Sequence, residues 1–328
     1  MINIIKYSEE KGIHSLPVEL FKSWDINCKD NVWIDIYDET EENSIKLLKN
    51  VFGFHPLAIE DAVKHFTEET VHHPKIDDFD TYIFIVFNGL MEVGKTLKYK
   101  IFSLSCFLGS NFIITLHNEK PDNSVSNSLN SILNEKTFKK GPDYVLNLIL
   151  DEIVDRYYPI LDKFESEIDT VEAELFKGTP NNRNLLRILN LKKELIRLRR
   201  ISSYQKEILF KLTRGDSDLI SVEESVYYRN VYDHLVRVSD TTESYRDYVS
   251  GMLDSYLSIV NNKMNEVMKF LTIIATIMLP LTLVTGIFGM NFNSIPFLTS
   301  DFGFWLSIFL MIAIAVSMLS WFRFKKWI

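Results

Sequence analysis

The sequence predicts a membrane protein made of a mixed α/β domain, a run of long helices and two C-terminal transmembrane helices. Two uncharged stretches, residues 270–290 and 302–322, carry the membrane part. Each holds about 21 residues, which at roughly 1.5 Å per residue spans the ~30 Å hydrocarbon layer of a bilayer. Buried core helices of a soluble fold are the alternative, but uncharged runs this long are rare there. Strand-like segments confined to residues 1–122, and a heptad stripe running into the first apolar stretch, supply the other two parts.

Within residues 1–122, the segments 32–37 (VWIDIY), 81–90 (TYIFIVFNGL), 99–108 (YKIFSLSCFL) and 111–116 (NFIITL) are rich in β-branched and aromatic residues. Residues 41–51 and 56–64 have helical spacing between them, and the whole is long enough for its own core. Residues 123–221 are expected to be helical. An acid-rich stretch, 144–176, precedes a base-rich one, 182–213, with Lys177-Gly178-Thr179-Pro180 as a helix stop and turn. An antiparallel hairpin with oppositely charged arms follows, its basic arm packing through Leu185, Leu189, Leu195 and Leu198. Those apolar partners and the acidic neighbour argue against nucleic-acid binding by the basic arm. Residues 222–269 form a stalk in which Val231, Leu235, Val238, Thr242, Tyr245, Val249, Met252, Tyr256 and Ile259 recur at steps of four and three. The stripe meets no breaker but Gly251, so one helix of close to ~100 Å is expected over residues 223–288. Heptads imply partner helices; packing within its own subunit is the alternative.

The formal net charge is −8, from 36 basic and 44 acidic groups, and 46% of residues are hydrophobic. Lys263 and Lys269 precede the first span and Arg323, Lys325 and Lys326 follow the second, whereas residues 291–301 contain no Lys or Arg. The positive-inside tendency then makes 291–301 an outer loop, 323–328 a basic cytoplasmic tail, and both termini cytoplasmic. Trp305, Trp321 and Trp327 stand where an aromatic belt would be. The first ten residues carry no signal-peptide pattern. Cys28 and Cys106 lack metal-type spacing and are expected to be unpaired thiols in a reducing compartment.

Asn265, Met268, Leu271, Ala275, Leu279, Thr282 and Gly286 fall at steps of three or four and share one helix face. If several copies surround an axis, that face lines an uncharged hole. Mg²⁺ loses water reluctantly and keeps an octahedral shell, so neutral oxygens can accept hydrogen bonds from its waters without trapping the ion. Asn291 at the outer mouth is the leading candidate for such a ring, with Asn265 and Thr282 acting likewise deeper in. Met268, Leu271 and Leu279 would form a hydrophobic constriction that closes by dewetting. Helix packing is the competing reading of these small and polar residues, of Gly286 and Gly289 above all.

Gly289-Met290-Asn291 closes the string NEVMKFLTIIATIMLPLTLVTGIFGMNF at residues 265–292. With two spans, a helical stalk and a C-terminal RFKKWI, it resembles the CorA-type divalent metal-ion transporters. The likeness covers the whole chain, including His55-Pro56-Leu57, Glu60-Asp61 and Arg246-Asp247-Tyr248-Val249-Ser250-Gly251. It implies a funnel-shaped homopentamer in the cell (inner) membrane, its second span facing lipid, that conducts hydrated Mg²⁺, with Co²⁺ and Ni²⁺ as further cargo. Gly289, Met290 and Asn291 would form its selectivity segment. It also implies that cytosolic Mg²⁺ bound between neighbouring front domains favours the closed state, as linkage requires of an ion that binds one conformation better.

Two departures from the family pattern stand out. Family members often have Met-Pro-Glu-Leu in the outer loop, where this chain has Ile295-Pro296-Phe297-Leu298, leaving Asp301 as the loop's carboxylate. The regulatory site implied by the family pairs the Glu60-Asp61 segment with a stalk acid at a position occupied here by Asn230. A neutral amide weakens binding of a hard cation, which Asp233, Asp77 and Asp78 can offset. The bland reading of Glu60 and Asp61 is a solvated helix face.

A Zn²⁺ transporter of the same superfamily is the nearest alternative, although no intramembrane His or Cys favours a softer metal. A non-conducting, membrane-anchored sensor or scaffold is another. Enzymatic activity is not expected, because the seven His form no HExxH pair. Without a glycine-rich phosphate loop, neither ATP-driven pumping nor a nucleotide partner is expected.

Overall fold

The structure, a computed structural model, describes residues 1–17, 28–37, 39–67, 73–93, 97–117, 134–177, 181–215, 217–290 and 301–327. The chain divides into two compact units, Met1–Met252 and Leu253–Ile328, so the division falls inside the stretch expected to be the stalk.

The first unit is built on one seven-stranded sheet. Its strands are β1 (Ile2–Ser8), β2 (Gly12–Ser15), β3 (Asn31–Tyr37), β4 (Lys75–Asp78), β5 (Tyr82–Glu92), β6 (Tyr99–Gly109) and β7 (Phe112–His117). They lie in the order β2-β1-β3-β7-β6-β5-β4, with β3 and β7 parallel and every other neighbouring pair antiparallel. Helices α1 (Glu41–Asn50) and α2 (Pro56–Thr67) cover one face, where Leu48, Ala58 and Ala62 join Ile34, Ile36, Phe84, Phe107 and Ile114 in one core. After the short α3 (Glu135–Lys140), α4 (Pro142–Asp155) packs on β5, β6 and β7 through buried Leu146, Ile149, Leu150 and Ile153. The central strands are therefore covered on both sides and read as segments dominated by apolar residues. β1, β2 and β4 escape that reading. The edge strand β4 is Lys-Ile-Asp-Asp, charged as edges that must not pair with other chains tend to be, and β2 has only four residues.

Three expectations are corrected in the helices. The acid-rich stretch is two helices, α4 and α5 (Tyr157–Lys177), separated at Arg156. α5 runs antiparallel to α6 (Asn182–Thr213), since the Tyr157 hydroxyl donates to Gln205 Oε1 at 2.8 Å while Arg187 reaches Glu167 at 2.9 Å and Glu174 at 2.7 Å. The buried line of α6 is Asn184, Ile188, Leu191, Leu195 and Leu198; Leu189, at 44% exposed, points away, and Leu185 is only half-buried. Arg187 alone, among the described residues, carries the ion pairs between the two arms, so apolar interdigitation joins them more than charge does.

The third correction concerns α7 (Val222–Phe288), a helix of 67 residues. Its heptad stripe is buried inside its own chain: Val231, Leu235, Val238, Thr242, Val249 and Met252 have almost no exposed surface. Contacts flanking the stripe come from α4, α5 and α6. The Tyr228 hydroxyl donates to the Asp143 carbonyl at 2.6 Å, the Tyr158 hydroxyl to the His234 carbonyl at 3.4 Å, and Arg199 meets Glu243 at 2.9 Å. Heptad spacing here reports packing within one subunit.

The second unit comprises residues 253–288 of α7 and α8 (Asp301–Phe324), both long and apolar enough to cross a membrane. Each has one partly covered stripe, Ile273, Pro280 and Val284 on α7 and Met311, Ile314, Met318 and Phe322 on α8. Leu235→Ala is expected to destabilise the first unit by about 2–5 kcal/mol, as a buried cavity does. Leu189→Ala should change stability by no more than ~0.5 kcal/mol, and thermal unfolding of the two variants checks the contrast.

Candidate functional site

The face expected to line an ion path lies in the second unit, on α7. Asn265, Met268, Leu271, Ala275, Leu279, Thr282 and Gly286 are all exposed, Leu271 at 66% and Leu279 at 71%, against 8% for Ile273 on the other side of the helix. Ala275, Leu279, Thr282, Gly286 and Met290 line one shallow groove. The Thr282 hydroxyl donates to the Met278 carbonyl at 2.8 Å, which leaves its lone pairs free to accept from water. Pro280 has no N–H, so the Thr276 carbonyl loses its helical donor.

At the C-terminal end of the face the chain is already leaving the helix. The Gly289 N–H donates to the Thr285 carbonyl at 2.9 Å and the Met290 N–H to the Ile287 carbonyl at 3.3 Å. A Cβ at position 289 would sit 3.0 Å from the Thr285 carbonyl oxygen, tight enough that a neighbour must give way. Asn291 and residues 292–300, including the departure at 295–298, lie outside the described residues.

The acids expected to sense cytosolic cations are partly committed to lysines. Glu60 pairs with Lys64 at 2.7 Å, and Lys75 bridges Asp61 and Asp77, each at 2.7 Å. Burial works against the Lys75 ammonium, but its hydrogen bonds to Asp61 and Asp77 outweigh this and hold its pKa above the usual lysine range. Asn230 and Asp233 are exposed on α7. Among the described residues no hydrogen bond or ion pair of one chain joins them to Glu60 or Asp61.

A cluster that the sequence reading did not assemble lies in the first unit. Asp151 and Asp155, at i and i+4 on α4, meet His234 of α7, and one ligand atom from each lies within 4.8 Å of the other two. His234 Nδ1 is 3.9 Å from Asp151 Oδ1 and 3.7 Å from Asp155 Oδ1, too far for hydrogen bonds. Asp151 Oδ1 and His234 Nδ1 are shielded from solvent and have no hydrogen-bond partner. Burial, reinforced by the Asp155 charge, raises the Asp151 pKa above the usual carboxylate value. Two carboxylates and an imidazole whose donor atoms converge without bonding one another fit a divalent cation, and the imidazole widens the choice to Co²⁺, Ni²⁺ or Zn²⁺. Asn230 lies four residues before His234, one turn away on the same face of α7. The sequence signal was the Asp-x-x-x-Asp spacing; its histidine partner is 79 residues beyond Asp155 in the chain and only folding supplies it.

A family model described as CorA-like Mg²⁺ transporter protein matches residues 29–326. The cobalt/magnesium transport protein CorA of Thermotoga maritima is 37% identical over 90% of this chain and 83% of its own length. The zinc transport protein ZntB of Yersinia pseudotuberculosis is 22% identical over 97% of this chain and 93% of its own. Among solved structures, the complete CorA magnesium transporter of Methanocaldococcus jannaschii matches with a TM-score of 0.82 at 25% identity, over all of this chain and 99% of that one. The chain therefore belongs to the CorA-like Mg²⁺ transporter family, membrane transporters of divalent metal ions.

Proposed function

We propose that several copies of this chain enclose a water-filled path along the face from Asn265 to Gly286 and pass hydrated Mg²⁺ across the cell membrane, with both termini in the cytosol. The exposure of that face, opposite the covered stripe of α7, is the observation that carries the reading. Residues 261–269, ahead of the apolar span, are exposed all round the helix, and Met264, Val267 and Met268 among them leave more than half their surface open. That is more apolar surface than a solvated helix leaves bare, so neighbouring copies are expected there, five of them by the family likeness. Gly289, Met290 and Asn291 would select the cation through its hydration shell, and Met268, Leu271 and Leu279 would close the path.

The cytosolic sensor is assigned to Asp151, Asp155 and His234, with Asn230 beside them and Glu60, Asp61 and Asp233 as further oxygen donors across a subunit boundary. An ion bound there in the closed state shifts the population toward it. The imidazole and the similarity to a zinc transport protein keep Zn²⁺ as a second cargo reading, which competition between ions in an uptake assay separates from Mg²⁺.

In a Mg²⁺-uptake-deficient cell the chain is expected to restore uptake and Asn291→Ala to abolish it; undiminished flux through the variant would overturn the assignment. Asn230→Asp should lower the internal Mg²⁺ concentration that inhibits flux, and an unchanged threshold counts against the sensor as drawn. For Asp151 the folded pKa is raised, so its ionised form costs stability once pH exceeds the folded value and costs nothing below the unfolded one. Asp151→Asn should therefore raise the Tm of the metal-free chain at neutral pH, the gain fading as pH falls through the carboxylate range. The same variant should lose the Tm increase that Co²⁺ gives the native chain.

A further inference from the structure

A groove of about 770 Å³ lies between α6 and α7 in the first unit, a volume in the range of small-molecule sites. Four cations line it: Lys192, Arg199 and Arg200 from α6 and Arg246 from α7. Two are already shared with acids. Arg199 and Arg246 both reach Glu243, at 2.9 and 3.4 Å, and Arg246 also holds Asp247 at 2.7 Å. Lys192 and Arg200 have no ion-pair partner among the described residues, so the groove keeps uncompensated positive charge.

The rest of the lining suits a ligand that is more than a bare anion. Tyr204 offers a ring 42% exposed, in a T-shaped contact with His73 at 5.4 Å between centroids, and Ile196, two turns earlier on α6, is half exposed. Ser203 adds a hydroxyl that can donate to a phosphate oxygen, whereas the Ser250 hydroxyl already donates to the Arg246 carbonyl at 2.9 Å. Guanidinium groups bind phosphate through paired N–H donors, and an exposed tyrosine face stacks on a flat ring.

We propose that this groove binds a phosphate-bearing anion with a ring or apolar part, supplied either by a soluble nucleoside triphosphate or by an anionic lipid headgroup. No glycine-rich loop is involved, and the phosphates are held by side chains alone. This differs from the sequence-based expectation of no nucleotide partner, which rested on that loop. It does not depend on the proposed ion path.

The test is calorimetric titration of the full-length chain, in phosphatidylcholine nanodiscs without divalent cations, with inorganic triphosphate, ATP and soluble short-chain phosphatidylglycerol. Saturable binding of triphosphate or ATP that weakens at least tenfold in Lys192→Glu/Arg200→Glu supports a soluble ligand, and Tyr204→Ala should then weaken ATP more than triphosphate. Binding of phosphatidylglycerol alone, lost in the same double variant, supports the lipid source. Absence of saturable binding to all three, or binding indifferent to the double variant, overturns the proposal. Mg²⁺ flux unchanged by the double variant under nucleotide-free conditions shows that the ion path is intact whichever way the titration falls.

Discussion

Burial of one stripe of α7 inside its own chain is the constraint on which the other features depend. Val231, Leu235, Val238, Thr242, Val249 and Met252 fix the rotation of the helix, because moving any one of them into water would expose the whole row. Once the rotation is set, His234 stands against Asp151 and Asp155 while Asn230 and Asp233 remain exposed. Beyond residue 270 the chain keeps the same helix, since hydrocarbon offers unpaired backbone groups no other partner.

The two candidate cation sites of the first unit differ in what an arriving ion would displace. At Glu60 and Asp61 it competes with Lys64 and Lys75, which already neutralise the carboxylates. At Asp151, Asp155 and His234 it meets the His234 Nδ1 at 3.9 and 3.7 Å from the two carboxylates, where Asp151 Oδ1 and His234 Nδ1 have lost water without gaining a partner and Asp155 stays exposed. Desolvation there is a cost carried by the ion-free protein and relieved on binding. The face proposed as the ion path, from Asn265 to Gly286, offers a hydrated ion the polar side chains of Asn265 and Thr282 and is otherwise apolar or glycine. Such a face can wet or dry without a buried charge to stabilise.

Where one chemical demand dominated a segment, its structure was legible. The four central strands are buried on both faces, and apolar residues dominate them even though Asp35, Asn88, Ser103, Ser105, Thr115 and His117 are buried among them. β4 satisfies an opposite demand, staying soluble at a sheet edge, and its Lys-Ile-Asp-Asp resembles a loop. In α6, apolar residues occur on more than one face, so spacing alone chose Leu189 where the fold buries Asn184 and Ile188. The heptad stripe of α7 was visible as a stripe; which partner covered it was not, because an apolar row looks the same whether its neighbour belongs to the same chain or to another.

By itself, then, the sequence determined the two apolar spans, the long helix leading into the first of them and the Gly-Met-Asn ending. Each is local, set by side chains within a few turns of one another and by the thickness of a bilayer. Tertiary structure alone decided that the stalk stripe faces inward, that Arg156 splits the acidic arm, and that a histidine from α7 closes on two aspartates of α4. Those outcomes depend on which surfaces remain uncovered once all the helices compete for the same core, and no window of the chain contains that competition.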